Sequence, residues 1–219
     1  MNVDLRLYAL IDPAVAGGRS LGDIAKRIAG SATLVQLRDK HGSTRQLVEE
    51  ARELTMVLAP LDIPLLINDR VDVALAAEAD GVHIGQDDMS PADARLLLGK
   101  TAIIGLSIKT VEQAKAAPLE LLDYVGVGGV FSTTSKDTTS PPIGLSGLGA
   151  VVQAIRARDP KFPICGIAGI NQGNAGDVIM QGADGVAVIS ALSLAADPTV
   201  AARDLLSEVD GALARRTRS

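Results

Sequence analysis

The sequence predicts a single α/β domain over residues 1–219, folded as a closed parallel (β/α)8 barrel. Three observations carry that expectation. Eight short apolar runs recur between turn residues and rarely alternate with polar positions, as strands buried on both faces do. Segments with helical spacing separate most of these runs. Apolar residues make up 47% of the chain but aromatics only 2%, so the core must be built from Ala, Val, Ile and Leu, the residues that fill barrel interiors. At 219 residues the chain is long enough for one such barrel and short for two domains. An open doubly wound sheet is the structural rival, and the count of eight units favours the closed TIM barrel.

In chain order the strand candidates are LRLYALI (5–11), TLVQL (33–37), IPLLI (63–67), GVHI (81–84), AIIGL (102–106), DYVGV (123–127), FPICGI (162–167) and GVAVI (185–189). Helical spacing is read at 44–58, 71–79, 91–98, 149–158 and 174–181. Ser90 with Pro91 marks one helix start and Gly99 its end. Thr110 and Gln113 have the capping-box spacing. ADGVHIG (79–85) and ADGVAVIS (183–190) echo one another, which suggests half-barrel similarity. The stretch 131–146, rich in Thr, Ser and Pro, is too long for a simple connection and is expected to act as a mobile lid.

Composition narrows the function. A formal charge of −5 with scattered Lys and Arg provides no broad basic face, which argues against nucleic acid as a partner. Cys165 is the single cysteine and lies in an apolar run, so it forms neither an internal disulfide nor a multi-thiolate metal site and reads as a small hydrophobe. His41 and His83 lack zinc-motif spacing. The N-terminus carries Asp4 and Arg6 and no long apolar stretch, so no signal peptide or membrane span is expected and cytoplasm is the default. Oligomeric state is left open, a homo-oligomer being compatible with the chain.

In such a barrel, function sits where strands run out into the following helices. The sequence places Gln36, Arg38, Asp39 and Lys40 after the second strand, Asn68, Asp69 and Arg70 after the third, and Gln86, Asp87 and Asp88 after the fourth. Ser107 and Lys109 follow the fifth strand, Thr133, Ser135 and Lys136 the sixth, Gly169 the seventh and Ser190 the eighth. Asp69 and Asp88 on neighbouring loops, with Asn68 beside them, suit Mg²⁺, which takes oxygen ligands and shares itself with phosphate. They equally suit helix capping, since both precede helices. Arg38, Lys40 and Lys136 are suited to neutralising a diphosphate, against the ordinary reading of solvated surface charge. Gly169, Ile170 and Ser190, with a short extra helix near 191–195, suggest a second anion site, against the reading of a turn that needs glycine.

The blocks VQLRDK, LLINDRVDVALA, ADGVHIGQDD, IIGLS, DYVGVGGVFSTTSK and ADGVAVISA resemble, in order and spacing, those of the thiamine phosphate synthases, from about Leu7 to about Leu192. The resemblance implies a Mg²⁺-dependent transferase that joins an aminopyrimidine diphosphate to a thiazole phosphate, two small phosphorylated substrates. It assigns Gln36, Arg38, Lys40, Asn68, Ser107 and Lys136 to the aminopyrimidine diphosphate, with Arg38, Ser107 and Lys136 in the reaction itself. Asp69 and Asp88 become the Mg²⁺ ligands. Thr133, Thr134, Ser135, Gly169, Ile189 and Ser190 fall at the thiazole phosphate. Two departures stand out: T-T-S-K where the family commonly has T-x-T-K, and IAGI where it commonly has IGGI, so that Ala168 adds a methyl beside the phosphate turn.

Three rivals are weighed. A thiazole tautomerase of the same fold would need an acid or base near the thiazole, and the histidine expected before the sixth-strand loop is replaced here by Gly128 and Gly129. A non-catalytic binder of thiamine precursors would be favoured by loss of Asp69, Asp88 or Lys136, and all three are present. A phosphosugar isomerase or aldolase would need a strand-end Glu base or a buried Schiff-base lysine, and neither is evident.

Overall fold

Each apolar run pairs with its sequence neighbours because a parallel strand, buried on both faces, has no polar side to leave in water. The computed structural model describes residues 3–135 and 141–218. Its strands are β1 (Leu7–Ile11), β2 (Leu34–Leu37), β3 (Leu65–Asn68), β4 (Gly81–Ile84), β5 (Ile103–Ile108), β6 (Tyr124–Gly128), β7 (Ile164–Ile167) and β8 (Gly185–Val188). They close in sequence order, β8 returning to β1 with Ala187 beside Tyr8. The outer layer holds α1 (Leu21–Ile28), α2 (Thr44–Leu58), α3 (Val71–Ala77), α4 (Pro91–Leu98), α5 (Val111–Ala116), α6 (Gly144–Arg156), α7 (Ala175–Met180), the one-turn α8 (Ser190–Ser193) and α9 (Pro198–Thr217). No described helix is long and apolar enough to cross a membrane.

The caps read from the sequence form as expected. The Ser90 hydroxyl accepts from the Asp93 amide ahead of Pro91, and Thr110 with Gln113 makes the reciprocal capping box. Helix α6 differs: it starts at Gly144, not near 149, so the preceding loop is shorter than 131–146 and Ser146 is helical. The run GLSGLG hides this start, because glycine has poor helix propensity; Gly144 itself sits at φ 66°. Of the expected lid, residues 136–140 lie outside the described residues.

The echo between 79–85 and 183–190 belongs to a finer repeat of two strands. Ahead of each even strand one residue clamps a residue at the start of the preceding odd strand. Its amide donates to that residue's carbonyl and its side chain accepts from the same residue's amide. Thr33 does this to Leu7, Asp80 to Leu65, Asp123 to Ile104 and Asp184 to Ile164. Asp123 and Asp184 are each further held by an arginine from the helix that precedes the clamped strand, Arg95 of α4 at 2.7 Å and Arg156 of α6 at 2.6 Å. One residue thus satisfies two backbone groups that would otherwise be stranded at the rim opposite the strand C-termini.

Alternate residues point inward and change character along each strand. Leu34, Leu66 and Ile103 lie toward the strand starts; Gln36, Asn68, His83 and Ser107 follow them toward the C-terminal ends. Tyr8 and Tyr124 cross the middle, both fully buried. Their fit depends on Gly105, where a Cβ would stand 2.1 Å from the Tyr124 ring. The core is therefore aliphatic outside the sheet, while inside it apolar residues at the strand starts give way to polar ones toward the C-terminal ends.

Removing the strand clamp should cost stability according to the charge it carries. Asp123→Ala loses a charged acceptor for both the Ile104 amide and Arg95 and should destabilise by about 2–3 kcal/mol, against about 1 kcal/mol for the neutral Thr33→Ala. Urea denaturation of the two variants checks the ranking, and equal losses would remove the charged clamp as its cause.

Candidate active site

The first strand supplies a group that the sequence reading passed over. Asp12 follows β1, is 2% exposed, and takes the Ala14 amide on Oδ1 at 2.9 Å and the Arg38 guanidinium on Oδ2. Arg38 is also held by its amide, which donates to Ile11 O at 2.9 Å. Asp12 therefore fixes the direction in which Arg38 presents its remaining donors. Its signal was present as the residue directly after LYALI, so all eight strand ends, not seven, contribute polar groups. Asp39, in contrast, folds back to accept from the amides of His41 and Gly42 and serves its own loop.

Asp69 and Asp88 are not helix caps. The residue ahead of α3 is Arg70, with no side-chain cap, and α4 is capped by Ser90. Asp69 stands in the left-handed region at φ 61°, its amide donating to His83 O at 2.8 Å, so its carboxylate turns away from the helix behind it. That carboxylate meets the Lys40 ammonium on one side and the Asp88 carboxylate on the other. Burial, with Asp88 adding to it, holds the Asp69 carboxyl above its ordinary range despite Lys40. Asp88 accepts from the Gly85 amide at 2.7 Å. Among the described residues no cluster of three His, Cys, Asp or Glu side chains stands ready for a metal. This pair of carboxylates suits an ion that draws its other oxygens from water and phosphate.

Gln36 and Ser107 stand on β2 and β5 and are joined through the barrel. Gln36 Nε2 donates to the Tyr8 hydroxyl, Tyr8 and Tyr124 hydroxyls are 2.8 Å apart, His83 Nδ1 is 2.8 Å from Tyr124 and His83 Nε2 is 2.9 Å from Ser107 Oγ. Burial pushes both phenols well above their ordinary range, so each remains neutral with one proton to donate. Gln36 Oε1 is buried without a protein partner. Asn68 is the inward residue of β3, 9% exposed and paired in register with His83. Tyr8 and Tyr124 were missed as site residues because apolar runs hide which members face inward; His83, in the middle of GVHIG, could be read either as facing the barrel or as packing, and it faces the barrel.

The sixth, seventh and eighth strand ends form a cavity of about 460 Å³ that gathers Thr133, Thr134, Ser135, Gly169, Ile189 and Ser190. Thr133 Oγ1 accepts from the Ser135 amide at 3.1 Å. Asn174 Nδ2 donates to Gly169 O at 3.0 Å and braces the loop after β7. Gly169, at φ 67°, is required: a Cβ there would lie 2.5 Å from Ser132 O. Helix α8 begins at Ser190 and is one turn long, so its dipole is small and the donors are hydroxyls and loop amides. Lys136, expected at the aminopyrimidine diphosphate, lies outside the described residues. The remaining expected residues divide into this cavity and the Arg38, Lys40, Asp69, Asp88 and Gln36–Ser107 groups across the mouth.

A family model described as thiamine monophosphate synthase matches residues 7–192. A thiamine-phosphate synthase of Chloroflexus aurantiacus is 50% identical over 204 residues, covering 93% of this chain and 92% of that protein. One from Agrobacterium fabrum is 45% identical, covering 98% of each. The solved thiamine phosphate pyrophosphorylase of Pyrococcus furiosus superposes with a TM-score of 0.83 at 35% identity, covering 97% of this chain and 98% of that one. An orotidine 5'-phosphate decarboxylase of Pyrococcus horikoshii, at 15% identity and a TM-score of 0.68, shares the fold alone.

Ala168 precedes Gly169 and sits at φ 85°, a conformation that costs a residue with a Cβ. Ala168→Gly should therefore stabilise the protein by about 1 kcal/mol, on the order of 2–4 °C in melting temperature for a chain of this size. Calorimetry measures it, and an unchanged or lower melting temperature would mean that the turn carries no such strain.

Proposed function

This chain belongs to the thiamine monophosphate synthase family and is a transferase that makes thiamine phosphate; we propose that it does so across the C-terminal mouth of the barrel, with Mg²⁺ held by Asp69 and Asp88. The observation that carries the metal assignment is the meeting of two carboxylates, one of them substantially buried, that serve no helix cap. Lys40 offsets one of the two charges, and a divalent cation would offset the pair more fully. When bound, Mg²⁺ supplies positive charge to a departing diphosphate.

The chain's own residues supply the rest. The aminopyrimidine enters between Gln36, Asn68 and Ser107, and its diphosphate meets Arg38, Lys40 and Lys136, of which Arg38 is aimed by Asp12. The bond from the pyrimidine methylene to the diphosphate oxygen breaks, its electrons leaving with the diphosphate. The amino-substituted ring carries the resulting cation, and the thiazole nitrogen donates its lone pair to the methylene carbon. No enzyme nucleophile is needed; the residues stabilise the leaving group and hold the two partners in line. Thr133, Thr134, Ser135, Gly169 and Ser190 hold the thiazole phosphate in the adjoining cavity. Both substrates carry phosphate charges that do not cross a bilayer, which supports a cytoplasmic enzyme.

The lack of an acid or base at the end of β6 argues against a tautomerase: Gly128 and Gly129 stand there. A Cβ on Gly128 would lie 2.4 Å from Ile167 Cγ2, but one on Gly129 would meet only ordinary contacts, so it is the missing side chain and not packing that counts against that reaction.

Asp69→Asn separates stability from catalysis. The amide tolerates the left-handed backbone and removes a buried charge. The metal-free variant should melt on the order of 2–4 °C higher at neutral pH, while turnover with both substrates falls roughly 10²-fold or more and needs more Mg²⁺. Full turnover at limiting Mg²⁺ would reject the assignment.

A further inference from the structure

The buried chain from Gln36 to Ser107 contains only groups that donate and accept in turn, so its two ends are not independent. If Gln36 Nε2 donates to Tyr8, the Tyr8 proton is free for Tyr124 and the Tyr124 proton for His83 Nδ1. His83 then carries its proton on Nε2 and gives it to Ser107 Oγ, which leaves the serine proton free for a ligand. In this direction Gln36 shows the ligand an acceptor and Ser107 a donor. Reversing it requires turning the Gln36 amide, rotating both phenol hydroxyls, moving the His83 proton to Nδ1 and turning Ser107 inward. The ends then exchange roles.

The first direction is favoured in the protein itself. It satisfies one Gln36 N–H and leaves Oε1 as the buried unpartnered atom, whereas reversal would strand both N–H donors. Under-satisfied carbonyl oxygens are tolerated better than orphaned N–H donors. Gln36 is 1% exposed and faces inward, so its orphan oxygen is a buried acceptor that a ligand N–H would satisfy.

We infer that Tyr8, Tyr124 and His83 are positioning residues that hold Gln36 as acceptor and Ser107 as donor, and thereby select an aminopyrimidine over its oxo counterpart. The inference rests on the pyrimidine reading of the site. An exocyclic amino group donates to Gln36 Oε1 and satisfies it. An oxo group at the same place sets acceptor against acceptor, relieved only by reversing all five members.

Two measurements test this. With only His41 and His83 in the chain, ¹⁵N spectra of labelled protein, assigned by a His41→Asn variant, report the His83 tautomer directly. The expected form, free and with the aminopyrimidine diphosphate bound, is Nε2–H; any other form overturns the inference. Calorimetry then compares dissociation constants for the aminopyrimidine diphosphate and its oxo analogue. The wild type should bind the oxo analogue roughly 100-fold more weakly, the scale of one buried mispaired group. Tyr124→Phe, which cuts the chain and keeps the ring, should reduce that ratio at least tenfold; Tyr8→Phe does the same nearer Gln36 and serves if Tyr124→Phe misfolds. A ratio unchanged in a folded variant overturns the coupling. Binding of neither pyrimidine to the wild type would instead overturn the substrate reading, which the free-protein tautomer does not depend on.

Discussion

Closing eight short parallel strands leaves one narrow column of inward side chains, and whatever fills it determines what the mouth above can hold. Here the column is filled across its middle by Tyr8 and Tyr124, the chain's only tyrosines, in space that Gly105 vacates. Their hydroxyls are buried and must be bonded, and they are bonded to each other and to Gln36 and His83. The filling of the barrel and the floor of the site are therefore one structure. Moving either ring would leave a void and an unpaired hydroxyl together, which links substrate recognition to packing.

Above this floor the residues divide by charge. Strands β1 to β4 deliver Asp12, Arg38, Lys40, Asp69 and Asp88, an ionic half suited to a metal and a diphosphate. Among the described residues, strands β6 to β8 deliver hydroxyls and a turn at Ala168 and Gly169, which suit a monophosphate. In the proposed reaction the reacting centre falls between these two groups. This is an economical arrangement for a substitution in which the leaving group needs cations and the nucleophile needs only to be held in place.

How much of this was legible in the sequence depended on whether a signal was local. Strand order, the caps at Ser90 and Thr110, and the cluster of polar residues at strand ends are written in adjacent residues, and they stand in the structure. The start of α6 was not legible, because GLSGLG carries turn residues through a helix held by its packing. Asp12 was overlooked because one acid after a strand is unremarkable until Arg38 is seen beside it. Whether Asp69 caps α3 could not be read from spacing, since it turns on a backbone angle of 61°. Ala168 was noticed as an extra methyl, but its cost follows from a positive φ that sequence does not display.

The central claim is that Asp69 and Asp88 are brought together to hold a divalent cation against a diphosphate. Manganese is the direct probe. In a crystal grown with Mn²⁺ and inorganic diphosphate, the account predicts one anomalous peak between these carboxylates, with an oxygen of each at about 2.1 Å and diphosphate and water oxygens as the other ligands. A peak elsewhere in the barrel mouth, or diphosphate bound there with no metal between it and Asp69, would contradict it.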